Sequence, residues 1–335
     1  MSKRYRHNSQ VANFMYKILI FLACLFSIIG ICNASWYSQT SGIMGTNIYA
    51  EVWHDDPAIA EKALTEIMAE MERINQLMSS YIDTSELSKI NQKAAENPIA
   101  ISDEMFDLLT LSLHFSNLTD GAFDITYASI GYLYNYKQAK RPDEPQISAL
   151  LDAVNYKHVL LDKENKTVFF DHPNVKIDLG GIAKGYAVDN AIKIVKAMGI
   201  EHALITAGGD TKLLGDRRGK PWIVGIRDPR NRDKQAVVVP LYDTAMSTSG
   251  DYERYFEEDG IRYHHILSPK TGKSTHSVQS VSIIGPSSVY NDALSTAVFV
   301  MGLADGLGFI NSLPDFDAIV MDAERKMHYS NGLQN

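Results

Sequence analysis

The chain has 335 residues, 45% hydrophobic and 21% charged, a normal globular balance that can fill one large core or two small ones. Both cysteines, Cys24 and Cys32, fall in the first 34 residues, so no disulfide, thiolate nucleophile or Cys-ligated metal is available downstream. Without the four cations of that segment, 28 Lys and Arg face 40 Asp and Glu, a formal −12 that speaks against nucleic acid as a partner.

Lys3, Arg4, Arg6 and Lys17 precede an apolar stretch from Ile18 to Ile31, and residues 1–34 hold no Asp or Glu. This is the layout of an export signal. The stretch is shorter than the roughly 20 residues that span a bilayer, which favours a removable signal over a permanent anchor. Cys32-Asn33-Ala34 supplies small residues before a cut at Ser35, while a lipid on Cys32 or Cys24 is an equal alternative. The expected product is one domain, residues 36–335, in the bacterial periplasm, either free or anchored to the inner membrane.

Ile48, Ala50 and Val52 alternate with polar positions and predict a half-buried strand over Asn47–Trp53. Apolar residues from Ala60 to Met78 at helical spacing predict a helix started by Asp56 or Pro57. A second helix is expected from Asp103 to about Asn117, and a surface loop over Ala139–Pro145. Strands are expected at His158–Leu161, Thr167–Phe170 and Val175–Asp178, and a helix follows to Met198, with Gly199 as its cap. Short strands at Ala203–Thr206, Trp222–Ile226, Ala236–Leu241, Ala245–Ser249 and Ser280–Ile284 precede a helix over Asp292–Gly302. No repeat, charge block or linker interrupts residues 40–330, which predicts one compact α+β domain with two lobes and mixed or antiparallel sheets.

The junction from Val175 to Asp189 places Asp178, Gly180, Gly181 and Lys184 where a strand enters a helix. Unpaired amides at a helix start and bare glycine backbone suit a phosphorylated ligand. The glycines, at 180, 181 and 185, match neither the dinucleotide fingerprint nor the Walker pattern. Gly121-Ala122-Phe123-Asp124 reads either as a capped turn or as the wall of a planar-ligand pocket, with Asp124 accepting from ligand N–H groups. The glycines of Ala207-Gly208-Gly209-Asp210 serve a tight turn or close ligand approach. His264 and His265 supply an imidazole that can take a proton from a hydroxyl, and only one of two adjacent strand residues can face a given site. Asp292 and Thr296 share a helix face, and an oxygen-only pair suits Mg²⁺ completed by substrate phosphates.

These clusters, in this order, resemble the ApbE family of FAD:protein FMN transferases over about residues 40–325. The matching stretches are Met44-Gly45-Thr46, Met78 to Tyr81 with Ser85 to Asn91, Gly121 to Asp124, Asp178 to Gly185, Ala207 to Asp210, Ser249 to Arg254, His264 to Ile266, and Asp292 to Thr296. The resemblance implies Mg²⁺-dependent transfer of FMN from FAD to a Thr or Ser hydroxyl of an acceptor protein, such as a subunit of a membrane redox complex, with AMP leaving. It also implies flavin contacts from Met44, Tyr81, Ala122, Phe123, Asp124, Asp178, Lys184 and Ile266. Mg²⁺ would sit on the Gly181 carbonyl, Asp292 and Thr296, with help from Ser295. For the base, His265 is placed first, His264 second and Asp251 third. Ser268-Pro269 and Asn291 depart from the family's usual Asp-Pro and Ala without removing a ligand.

Overall fold

The computed structural model describes residues 35–334, so the export-signal reading lies outside them. β1 (Ser35–Ile43) and β2 (Thr46–His54) form a hairpin whose two loop residues, Met44 and Gly45, have φ of 55° and 69°. That twist suits the strands, but a non-glycine residue there costs roughly 1–2 kcal/mol. α1 (Pro57–Met78) starts as expected, with the Asp56 carboxylate accepting from the Ala58 amide at 2.9 Å. α2 (Glu86–Lys93), β3 (Ile99–Ala100), α3 (Asp103–Leu118), α4 (Ala128–Gly131), α5 (Glu144–Leu150), β4 (Val159–Asp162) and β5 (Thr167–Phe170) follow. Within the expected loop at 139–145, α5 begins at Glu144 on a capping box formed by Asp143 and Gln146.

After α6 (Ala183–Ala197) come β6 (Ala203–Ala207), β7 (Asp210–Leu214), β8 (Trp222–Asp228), β9 (Asn231–Leu241), β10 (Ala245–Gly250), β11 (Tyr255–Glu258), β12 (Ile261–His264) and β13 (Val278–Gly285). α7 (Ser288–Met301), α8 (Leu303–Asn311), β14 (Asp317–Asp322) and β15 (Met327–Tyr329) complete the chain. Eight strands pair antiparallel in the order β1-β2-β6-β7-β10-β13-β14-β15. α1, α6 and α7 lie side by side across one face. On the other face, Leu213, Met246 and Ile319 pack under the β8–β9 ribbon through Trp222, Val224 and Ile226. The pairings among the named strands are antiparallel throughout, so the sheets are antiparallel rather than mixed.

Gly199 ends α6 as expected: it has φ of 85°, its N–H meets the Lys196 carbonyl, and the Ile200 N–H meets Val195. Val175–Asp178 corrects the expectation of a strand. It is a segment outside any strand ladder, whose two central amides pair with side chains while those of Val175 and Asp178 meet the His172 and Ile125 carbonyls. Asn91 brackets Ile177, accepting from its N–H and donating to its carbonyl, both at 2.8 Å, and Ser129 accepts from the Lys176 N–H at 3.0 Å.

α6 and α7 cap one another. Asp189 of α6 accepts from the Ser288 and Val289 amides, and Asp292 of α7 accepts from the Gly185 amide at 3.0 Å. Their close approach depends on Gly185, where an added Cβ would stand 2.3 Å from the Ser288 carbonyl oxygen. Gly185→Ala is therefore expected to lower stability by about 3 kcal/mol or more, because backbone must move to admit it. Gly308→Ala, in α8 with nothing within 4 Å, is expected to raise stability by about 0.5–1 kcal/mol. Chemical denaturation of the two variants checks both signs.

Candidate active site

The ends of β2, β6, β10 and β12 meet α6 and α7 around a cleft. Its wall includes Ala122, Phe123, Asp124, Asp178, Gly181, Lys184, His265, Ile266, Asp292 and Thr296. Met44, Tyr81, His264 and Ser295 are outside this wall. Met44 occupies the strained turn beside cleft residue Gly45, where backbone strain commonly marks a ligand site. Tyr81 is 82% exposed, and its neighbour Ser80 donates to Asp178 at 2.8 Å.

The junction that opens α6 does not offer a free row of amides. The Gly180 N–H goes to Asp178, the Ala183 N–H to the Leu179 carbonyl, and the Gly185 N–H to Asp292. The glycines have packing reasons of their own: a Cβ on Gly180 would stand 2.8 Å from Asp178 Oδ1, and one on Gly181 would stand 3.2 Å from Thr296 Oγ1. Asp178 accepts from Ser80 on Oδ2 and from the Gly180 amide and the Tyr127 hydroxyl, the latter at 3.1 Å, on Oδ1. Tyr127, a cleft residue outside the expected set, could have been suspected only from its spacing after Asp124.

Lys184 Nζ lies 2.9 Å from Asp210 and 3.3 Å from Asp292, and donates to the Gly180 carbonyl at 3.0 Å. Burial alone would lower its pKa, but the Asp210 and Asp292 charges outweigh that and hold it above the usual lysine value. Burial, reinforced by the Asp210 charge, pushes the Asp292 carboxyl upward. Asp210 was visible in the sequence only as the end of a glycine turn.

Asp124 caps the turn and also lines the cleft. Its Oδ1 accepts from the Thr126 amide and hydroxyl at 2.8 and 2.6 Å, and its Oδ2 from the Tyr156 amide at 2.8 Å. Burial raises its pKa in spite of those bonds. Its carboxylate therefore shapes the wall by holding local backbone, with Phe123 packed edge-on against Phe115 behind it.

The two histidines part as strand alternation requires. His264 turns into the protein: Nε2 donates to the Thr275 carbonyl at 2.5 Å, Nδ1 accepts from the Ile266 amide at 3.3 Å, and the ring packs against Phe299. With both ring nitrogens used, it is no candidate base, which corrects its placing as second. Asp251 is equally occupied, held by Arg230 at 2.6 and 2.7 Å and by Arg262 at 3.4 Å. His265 lines the cleft, and its buried Nδ1 has no hydrogen-bond partner. Burial, then the Arg254 charge, lowers its pKa to about 3, and burial lowers that of His264 to about 4.

Both rings are thus neutral in the folded protein at pH values where the unfolded chain protonates them. Stability is expected to fall as pH drops below about 6.5, by up to about 1.4 kcal/mol per pH unit for each histidine, and to level off below their folded pKa values. Denaturation midpoints across pH 4–7 check this, and His265→Asn should flatten the slope.

A hard cation fits this donor set. Two carboxylates against one ammonium leave the Asp210–Lys184–Asp292 cluster one charge short of neutrality. Asp292 Oδ2 is used by Gly185 and Lys184, while Oδ1 has only a long contact with Lys184 at 3.4 Å. The Thr296 hydroxyl lies against Gly181 and 3.2 Å from Ser249 Oγ. Ser295 donates to the Asp292 carbonyl and reaches the cleft only through Ser249, at 2.8 Å. Among the described residues no group of three His, Cys, Asp or Glu is placed to hold a metal ion.

Fold and cleft together define an α+β protein in which several carboxylates, one neutral imidazole and an oxygen-rich corner face the same space. The ApbE family pattern matches residues 44–320, and the chain belongs to that family. The FAD:protein FMN transferase of Treponema pallidum is 31% identical, the match covering 93% of this chain and 92% of the relative. That of Vibrio cholerae is 34% identical, over 86% and 89%. Among solved structures, the ApbE protein of Thermotoga maritima superposes with a TM-score of 0.83 at 34% identity, covering 90% of this chain and 98% of its own. The flavin transferase ApbE of Vibrio cholerae gives 0.79 at 28%, covering 90% and 99%.

Proposed function

We infer that this chain transfers FMN from FAD to an acceptor protein, as the name FAD:protein FMN transferase states for its relatives, and that the acceptor group is a hydroxyl. The observation that carries the reading is the unpartnered Nδ1 of His265 in the same cleft as Asp292 and Thr296. The acceptor Thr or Ser oxygen attacks the FMN phosphorus and forms a phosphoester, while the bond from that phosphorus to the bridging oxygen breaks and AMP leaves with that oxygen. His265 takes the hydroxyl proton. Its lowered pKa makes it a weak base by itself, and the negative phosphates of the substrate raise it toward working range.

Asp292, Thr296 and the Gly181 carbonyl would hold Mg²⁺, which when bound neutralises phosphate charge and fixes the pyrophosphate. Asp178, Ile266 and the Ala122–Asp124 wall shape the flavin end. Met44 and Tyr81 close over the ring from the rim, a role that suits a strained turn and an exposed aromatic. Export of the domain to the periplasm, free or lipid-anchored, and an acceptor in a membrane redox complex complete the reading.

The test is incubation of the purified domain with FAD, Mg²⁺ and an acceptor domain bearing an exposed Thr. The expected result is acid-stable yellow fluorescence on the acceptor with one AMP released per flavin attached, and neither when Mg²⁺ is omitted. AMP release with no labelled acceptor would instead identify a hydrolase that uses water. Mass spectrometry of the mature N-terminus decides between a cut at Ser35 and a lipidated cysteine.

A further inference from the structure

FAD brings a negatively charged diphosphate into the cleft, and a cation must meet it. Lys184 is poorly placed for that task, because its ammonium already serves Asp210, Asp292 and the Gly180 carbonyl. The arginines tell a sharper story. Those with described side chains each hold a carboxylate, or in the case of Arg218 lie over the ring of Trp53, with one exception.

The exception is Arg254. Among the described residues it has neither a carboxylate nor an aromatic partner, and its side chain lines the cleft. Its guanidinium reaches the Met44–Gly45 turn, with Nη2 3.6 Å from where a Cβ on Gly45 would stand. Its carbonyl accepts the His265 N–H at 3.1 Å, so the free cation and the unpartnered imidazole are tied to one another through backbone. In a chain of net charge −8, a guanidinium with no carboxylate partner among the described residues, on the wall of a cleft, is suited to meet an anionic ligand.

We propose that Arg254 is the residue that clamps the diphosphate of FAD, a role that rests on the transfer reading above. Its planar fork can donate two parallel hydrogen bonds to phosphate oxygens, which a lysine point charge cannot. The clamp sits beside the base, so it orients the scissile phosphorus toward the proton acceptor. It also neutralises charge on the phosphate that departs with AMP. The depressed pKa of His265 fits the same placement, since the Arg254 charge contributes to it and a bound diphosphate would relieve it. Lys184 then keeps the structural task of joining Asp210 to Asp292.

The experiment compares FAD with riboflavin, which keeps the ring but lacks both diphosphate and adenosine, and ADP with adenosine, which differ in the diphosphate alone, on the wild-type chain and on Arg254→Ala and Arg254→Lys; the Arg254→Ala loss should appear with FAD and ADP and not with riboflavin or adenosine. Arg254→Ala is expected to weaken FAD binding about 10- to 100-fold, to change riboflavin binding less than about 2-fold, and to leave the melting temperature unchanged because the side chain is exposed. Arg254→Lys should recover part of the loss, and the salt dependence of FAD affinity should shrink in the alanine variant. Equal weakening of FAD and riboflavin, or unchanged FAD affinity, overturns the clamp. If the wild-type chain binds FAD with this pattern yet labels no acceptor, the transfer reading fails and the clamp stands; if labelling is normal and the pattern is missing, the clamp alone fails.

Discussion

Replacing Asp292 by Asn is expected to lower FMN transfer by about 10³-fold while the protein stays folded. The substitution keeps the shape of the side chain, and the Asn carbonyl can still accept the Gly185 N–H that Asp292 now takes at 3.0 Å. The cap on α6 therefore survives. What is lost is charge: the cluster with Lys184 and Asp210 becomes neutral, and the oxygen-rich corner loses its free carboxylate oxygen. Half-saturation by Mg²⁺ should rise more than about 10-fold, because Mg²⁺ bound through few protein ligands depends on carboxylate charge. Asp292→Ala makes the contrast. It leaves the Gly185 amide buried without an acceptor, which adds a stability loss of about 1–3 kcal/mol. Transfer rates across a Mg²⁺ titration, with melting curves for both variants, separate the effects. An Asn variant working at more than a tenth of the wild-type rate would rule out the metal role.

The dependence of α6 on Asp292 also shows where sequence reading stops. Local signals were legible: Asp56 and Pro57 open α1, Gly199 closes α6, and the alternation of Ile48, Ala50 and Val52 marks β2. Each of these is decided by neighbours in the chain. β1 was hidden because it is an edge strand with no buried residue and no alternation of buried and exposed positions, and its pairing rather than its pattern makes it a strand. Val175–Asp178 misled for the opposite reason. It carries the pattern of a strand, but Asn91, from a distant helix, supplies the hydrogen bonds of a missing neighbour. The motif residues of the site were readable as motifs, yet their duties were not. The duty of Asp124 depends on Thr126 and Tyr156, that of Lys184 on Asp210 and Asp292, and the freedom of Arg254 on what every other arginine is doing. Such assignments are questions about who is left unpaired, and only a folded chain answers them.

The two adjacent histidines give the cleanest separation of chemistry from structure. His265→Ala is expected to reduce the transfer rate by about 10²- to 10⁴-fold, the range typical of a lost general base, with FAD affinity changed less than about 3-fold. Removing its ring deletes a group that lines the cleft and whose Nδ1 bonds to no protein atom, so stability should rise or stay level at acidic pH. His264→Ala should do the reverse. It strips a donor from the Thr275 carbonyl and an acceptor from the Ile266 amide, and leaves a void against Phe299. A stability loss of about 2–4 kcal/mol follows, while the folded fraction should retain transfer within about 10-fold of wild type. Single-turnover labelling of the acceptor, corrected for the folded fraction measured by denaturation, reads both variants on one scale. A His264 variant that is stable but inactive, or a His265 variant that transfers at the wild-type rate, would reverse the assignment. The neighbouring Arg254 sharpens the result: because its charge, after burial, helps hold His265 neutral, Arg254→Ala should shift the acidic limb of the rate profile to higher pH.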